Sequence, residues 1–356
     1  MGMVIAFICE AICIGMTLLY GSTGEIITEK SGHLNLGIPG IMCVGAASGC
    51  YAEALYIKSL SNPSDMNGFL VVVIGLLASI FGSAVMGLIY CFFTDTLRAN
   101  QNVTGLVLTT FGVGLTKFII SLEGQDSFSG ASGAFKAQLP FVEPLKEYLL
   151  TLSFGKPITW IVDIFLSHGI LIYLALAIAI VSAIVLKRTK LGLHLRAVGE
   201  NPAAADAVGI NVTAYRYVST CIGSAIAGLG GFCFIMDNLN GMWEYAIDAM
   251  GWLAIALVIF SVWKPNVAIF GSILFGGLYI VVEHIKIREI LMPIFELVKY
   301  SANDEFLVDL GIKLKPLFKM LPYLVTIIVL IITSIRDKKE NHPPASLGLS
   351  YFREDR

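Results

Sequence analysis

The chain has 356 residues, of which 56% are hydrophobic and only 14% charged, and its mean hydropathy is +0.79. Soluble domains carry ~45–50% apolar and ~25% charged residues, so this charged shell is too thin to cover the apolar surface. A soluble enzyme, a disordered chain and a nucleic-acid binder are excluded. The net charge of -2 selects no partner by field alone. What remains is an all-α fold, a polytopic transmembrane helix bundle.

A span needs roughly 20 mostly apolar residues. Nine stretches reach or approach that length: 3–20, 36–57, 69–93, 102–121, 167–186, 214–236, 245–262, 266–283 and 320–335. The first two are joined by a polar, glycine-punctuated link, 21–36, expected either to clear the membrane or to dip into it, where broken backbone survives only inside protein or beside a cavity. Segment 122–166 is expected on the outside, with an apolar stretch from Ile158 to Phe165. Segment 284–319 carries helical periodicity at Ile290, Ile294, Leu297 and Val298, which predicts an amphipathic outer-surface helix.

Lys187, Arg188, Lys190 and Arg196 crowd one loop without an acid, directly after a span, which marks the cytoplasm. Counting spans from that loop puts the N-terminus outside and the C-terminus inside. The domain reading is a transmembrane unit over 1–336, with a loop 187–213 of special interest, and a cytoplasmic tail over 337–356.

Nucleotide-hydrolysing, zinc-protease and serine-hydrolase motifs are all missing from the sequence, so no catalytic residue, cofactor or metal is called for. The seven cysteines lie in apolar runs without a CxxC and read as small core hydrophobes. The five histidines, scattered at span edges and in loops, read as interfacial residues.

Within loop 187–213, Asn201 is a good helix N-cap and Pro202 suits the first helical position. Ala203, Ala204, Ala205, Asp206, Ala207 and Val208 continue a short helix that Gly209 can close. Two turns are marginal in water, so something must hold them. A groove on a soluble partner and the bundle's own end are equally good candidates on local chemistry.

Four blocks then resemble a known family. Gly24-Glu25-Ile26-Ile27-Thr28-Glu29-Lys30-Ser31-Gly32-His33-Leu34-Asn35-Leu36-Gly37 is similar to the early signature of ABC-importer permeases for nucleosides, sugars and branched-chain amino acids. Leu97–Leu106, Leu191–Ala205 and Gly251–Phe260 resemble later blocks in the family's order. The Gly-Glu and Leu-Asn-Leu-Gly patterns are most similar to the second permease of nucleoside importers. The resemblance implies a multi-pass plasma-membrane permease that moves solute by alternating access. It implies ATPase subunits, a second homologous permease and an external binding protein or lipoprotein as partners, in a lipid bilayer and without nucleic acid. It also implies that Glu200, Asn201, Pro202, Ala203, Ala204, Ala205, Asp206 and Gly209 couple to the ATPase.

Mid-span charge is sparse, with Glu10 the one carboxylate near the middle of a span. Neutral hydrogen-bonders dominate, which suits an uncharged polar solute. The candidate pathway set is Glu25, Asn35, Asn102, Thr104, Phe111 and Trp252. Each Ser or Thr can instead bond its own helix backbone. A sugar or amino acid permease is the nearest alternative. An ion-coupled secondary transporter is the alternative of another class, with Glu10 as its only mid-span carboxylate.

Overall fold

A computed structural model describes residues 2–62, 65–123, 128–137, 141–151, 155–284, 320–336 and 342–352, together with Lys313 and Leu317. Every regular element among them is helical. Helices α1 (Gly2–Glu29), α2 (Ile38–Ser59), α3 (Gly68–Cys91) and α4 (Gln101–Glu123) are followed by the shorter α5 (Ser129–Phe135), α6 (Val142–Leu150) and α7 (Gly155–Leu166). Then come α8 (Ile170–Arg188), α9 (Lys190–Glu200), α10 (Pro202–Ala207), α11 (Val212–Cys233), α12 (Ile247–Phe260), α13 (Pro265–His284) and α14 (Leu321–Arg336). Helices α3 and α11 each end in one π-turn, Phe92–Thr96 and Phe234–Asn238.

By length and composition α1, α2, α3, α4, α8 and α11 can cross a membrane, and α12, α13 and α14 are shorter apolar helices. Six of the nine expected stretches thus carry helices long enough to cross and the other three carry the shorter ones, with one correction to the bounds. Gly21–Glu29, expected as part of a polar link, continues α1 as helix, and only Lys30–Gly37 interrupts it before α2. The glycines there serve packing: a Cβ at Gly24 would stand 2.2 Å from the Gly223 carbonyl oxygen, and one at Gly21 would meet Ala254. Burial against α11 and α12 keeps the polar stretch helical.

Helix α11 is the hub, in contact with α1, α2 and α3. Its small-residue run 223–231 lets three backbones close in, because a Cβ at Gly231 would lie 2.0 Å from Met42 O and one at Gly45 of α2 2.4 Å from Gly228 Cα. Helices α12 and α13 pack on α1, α4 on α2, and α14 on α12 and α13. The Tyr20 hydroxyl donates to Leu171 O at 2.7 Å, tying α1 to the start of α8.

The expected outer segment 122–166 contains α5, α6 and α7. The amphipathic helix expected over 284–319 lies, Lys313 and Leu317 apart, outside the described residues. The tail does not hang free: residues 342–352 pack on the end of the bundle that carries α9 and α10.

Candidate functional site

The interruption between α1 and α2 is the most polar part of the interior. Ser31, His33 and Asn35 are all fully buried, as is Glu25 one turn before the end of α1. Buried polar groups must find partners, and each element nearby supplies one. Asn35 N donates to Glu25 Oε1 at 3.1 Å, and Gly37 N donates to Asn35 Oδ1 at 2.9 Å. Gln101, at the start of α4, accepts from Leu34 N at 2.8 Å, while the Tyr90 hydroxyl donates to Leu34 O at 2.7 Å. The Trp263 indole N–H donates to Glu29 Oε2. Of the Glu25 and Asn35 side-chain atoms, Glu25 Oε2 and Asn35 Nδ2 have no hydrogen-bond partner among the described residues.

Beside this lies an ionic cluster. His33 Nδ1 sits 2.8 Å from Thr220 Oγ1, and its Nε2 sits 3.1 Å from Asp95 Oδ2. Arg216 Nη1 reaches the other Asp95 oxygen at 3.4 Å, with the guanidinium only 1% exposed. Burial pushes the His33 imidazole below its usual range against the opposing pull of Asp95. Lys30 is likewise lowered by burial, opposed by the Glu200 carboxylate. His33, Cys91 and Asp95 bring ligand atoms within 4.8 Å of one another. A cation there would face the Arg216 guanidinium already on the same carboxylate, so the geometry fits an ion-pair network better than a metal centre.

Helix α10 forms as its sequence dictates. Asn201 Oδ1 accepts from Ala204 N at 3.0 Å, Pro202 occupies the first turn, and Gly209 takes φ +88° after the last turn. One side packs inward: Ala205 is buried beside Val198 and Val212. The other carries Ala203, Ala204 and Ala207 and ends at Val208, 77% exposed. Apart from both clusters, a groove of about 480 Å³ lies between α8, α9 and α11, lined by apolar residues such as Val181, Leu195 and Ile222.

The family described as the branched-chain amino acid transport system / permease component matches residues 7–330. The chain belongs to that family. Among relatives, TsgC13 of Haloferax volcanii, provisionally named a glucose ABC transporter permease protein, is 31% identical over 348 residues, 95% of this chain and 94% of its own. The guanosine ABC transporter permease protein NupQ of Bacillus subtilis is 28% identical over 78% of this chain and 81% of its own. The nucleoside ABC transporter permease protein NupC of Lactococcus lactis is 30% identical over 73% and 76%. The chain is thus a multi-pass permease of the plasma membrane and not itself an enzyme.

In this permease the structure brings Glu25 and Asn35 together. It does not bring the rest of the expected pathway set to them. Asn102 is exposed, Phe111 is 52% exposed, and Trp252 is half-buried on α12. The Thr104 hydroxyl donates to Asn100 O at 2.8 Å, the local backbone bond open to any threonine in a helix. Of the ATPase-coupling set, Asn201, Ala203, Ala204 and Gly209 are exposed, as is Glu200, while Pro202 and Asp206 are intermediate and Ala205 is buried.

Two expectations need correction. His33 and His168 are not interfacial; both are buried, His168 with Nε2 2.8 Å from Ile164 O. The interior is also less neutral than expected. Glu25, Glu29, Glu53 and Arg216 are all buried, and both Glu53 oxygens lack a partner among the described residues. Sequence reasoning missed Glu29, Asp95 and Arg216 as buried charges beside the link. Their signal, charge of both signs at the ends of separate apolar stretches, becomes a pattern only once the helices are side by side.

Proposed function

We propose that this permease belongs to an ATP-driven importer of nucleosides. The reading rests on one conjunction: the Gly-Glu and Leu-Asn-Leu-Gly motifs build the buried polar link, and relatives sharing about 30% identity carry nucleoside-permease names. The full-length likeness to TsgC13 supports a sugar as the second reading. ATPase subunits and an external binding protein follow from membership of the family. A second, homologous permease completes the membrane assembly.

In this reading six long and three shorter apolar helices make nine crossings, with the N-terminus outside and the C-terminus in the cytoplasm. Loop 187–213 is then cytoplasmic. The exposed face of α10, with Ala203 and Ala204, seats in a groove on the ATPase, and Glu200, Asn201, Pro202, Ala205, Asp206 and Gly209 frame it. Glu25 Oε2 and Asn35 Nδ2, which lack a hydrogen-bond partner among the described residues, are the atoms that a solute's hydroxyl or ring nitrogen can engage as the pathway opens. Asn102, Thr104, Phe111 and Trp252 would line it further out.

Uptake of labelled guanosine by the reconstituted complex, with glucose and leucine as competitors, tests the substrate. Saturable guanosine uptake that glucose does not inhibit supports the proposal. Glucose uptake that guanosine neither competes with nor accompanies replaces it with the sugar reading. Cysteines at Asp126 and Lys190, in a background without native cysteine, should label from outside and from inside respectively. The same sidedness at both sites defeats the nine-span topology.

A further inference from the structure

The C-terminal segment 344–352 has no evident part in crossing the membrane, yet it is bound at nearly every residue. Pro344 and Ser346 are buried. Ser346 N donates to Gly199 O at 3.0 Å, and its hydroxyl donates to the same oxygen at 2.5 Å. Gly348 N donates to Gly32 O at 3.1 Å. The Tyr351 hydroxyl donates to Asp206 Oδ2 at 2.9 Å, and the Arg98 guanidinium lies 4.8 Å over the Phe352 ring. Glycines make the approach feasible. Gly32 and Gly348 hold φ of +92° and +78°, a Cβ at Gly32 would stand 2.6 Å from Ser346 Oγ, and one at Gly199 would stand 2.3 Å from Lys30 O.

Ordering a chain end costs conformational entropy at every residue, and a plain tether would not need such a path. The path has a specific consequence through two side chains that each face both ways. Gln101 donates from Nε2 to Leu349 O at 3.4 Å and accepts from Leu34 N through Oε1 at 2.8 Å. Arg216 donates from Nη2 to Leu349 O at 3.3 Å and holds Asp95 through Nη1 at 3.4 Å. The segment therefore grips α10 through Tyr351 and, two residues earlier, grips the buried link and the ionic cluster through Gln101 and Arg216.

We propose that segment 344–352 is a positioning strap that transmits displacement of α10 to the buried link around His33, with Tyr351, Gln101 and Arg216 as its attachment points. This rests on α10 being the helix that meets the ATPase. When α10 moves, Tyr351 and Leu349 move with it, and the hydrogen bonds that close the link are strained or released.

The test uses the assembled transporter with its ATPases, in a variant whose only cysteine is the native Cys91, buried beside the ionic cluster. Maleimide labelling of Cys91 with and without ATP reads opening of the cluster, independently of which solute is carried. A strap predicts that removal of 344–356 abolishes the ATP-dependent change in labelling while ATP hydrolysis continues. Tyr351→Phe, which deletes one hydroxyl and leaves the ring packed, should cut the change several-fold with unchanged assembly and thermal stability. If the truncated chain fails to assemble, Tyr351→Phe decides. An unaltered ATP response in Tyr351→Phe overturns the strap. Ala204→Trp separates the two layers. If it leaves ATPase association intact, the α10 reading has failed. If it abolishes association while Tyr351→Phe responds like the parent, only the strap has failed.

Discussion

The link 30–37 and the loop 201–211 are both short and both carry Asn and Gly, and they meet at one end of the bundle, where a Cβ at Gly199 would touch Lys30 O. Their surroundings are opposite. In the link Ser31, His33 and Asn35 are sealed from solvent, with partners drawn from α1, α3, α4 and α11. In the loop, α10 is capped by its own Asn201, buries Ala205 and leaves its outer face open. Polarity in a sequence thus says that hydrogen bonds are needed, and tertiary structure decides whether water or protein provides them. The buried link resists change because losing one partner strands another, whereas the exposed helix tolerates change until a partner docks.

The largest break in that contrast should come from Arg216→Ala. It leaves the Asp95 carboxylate buried without its guanidinium partner, and breaking a buried pair costs about 3–5 kcal/mol. The purified subunit should melt far earlier or fail to accumulate; a melting temperature equal to the parent's would show that the link is not held as described. Gly199→Ala comes next. It forces a methyl against the Lys30 carbonyl, and overpacking typically costs about 1–3 kcal/mol. Its effect should show in the thermal stability of the isolated subunit, before any ATPase is added.

Acid offers a third lever. Because burial lowers the His33 pKa, the unfolded chain binds its proton more readily than the folded one. Stability from this group is therefore full above the ordinary His value of ~6.5 and is lost as pH falls below it, at no more than about 1.4 kcal/mol per pH unit. Melting curves between pH 7.5 and pH ~5.5 should show that loss, and His33→Gln should flatten it. A slope as steep in His33→Gln as in the parent would assign the acid sensitivity elsewhere.

On the open side the effects on stability should be smallest. Asn201→Ala removes a cap worth about 0.5–2 kcal/mol, of which the exposed end of α10 should show the lower part. Ala204→Trp, on the open face, should change subunit stability by under about 0.5 kcal/mol while abolishing co-purification of the ATPase. Lowered subunit stability with retained association would place α10 with the sealed link and end the comparison.

Much of this molecule was legible in one dimension. Apolar runs determined the crossing helices, because a bilayer admits only segments that satisfy their own backbone. Asn201, Pro202 and Gly209 determined α10, because a cap, a fixed φ and a left-handed turn are local chemistry. Three things were decided only in the folded state. The stretch Gly21–Glu29 is helix because α11 and α12 cover it. His33 is buried because Asp95, Thr220 and Arg216, from 62 to 187 residues away in sequence, arrive beside it. The tail is a strap because Gly32, Gly199, Gln101, Asp206 and Arg216 converge on one path. Each depends on long-range partners, and no local propensity encodes which distant group will supply a missing hydrogen bond.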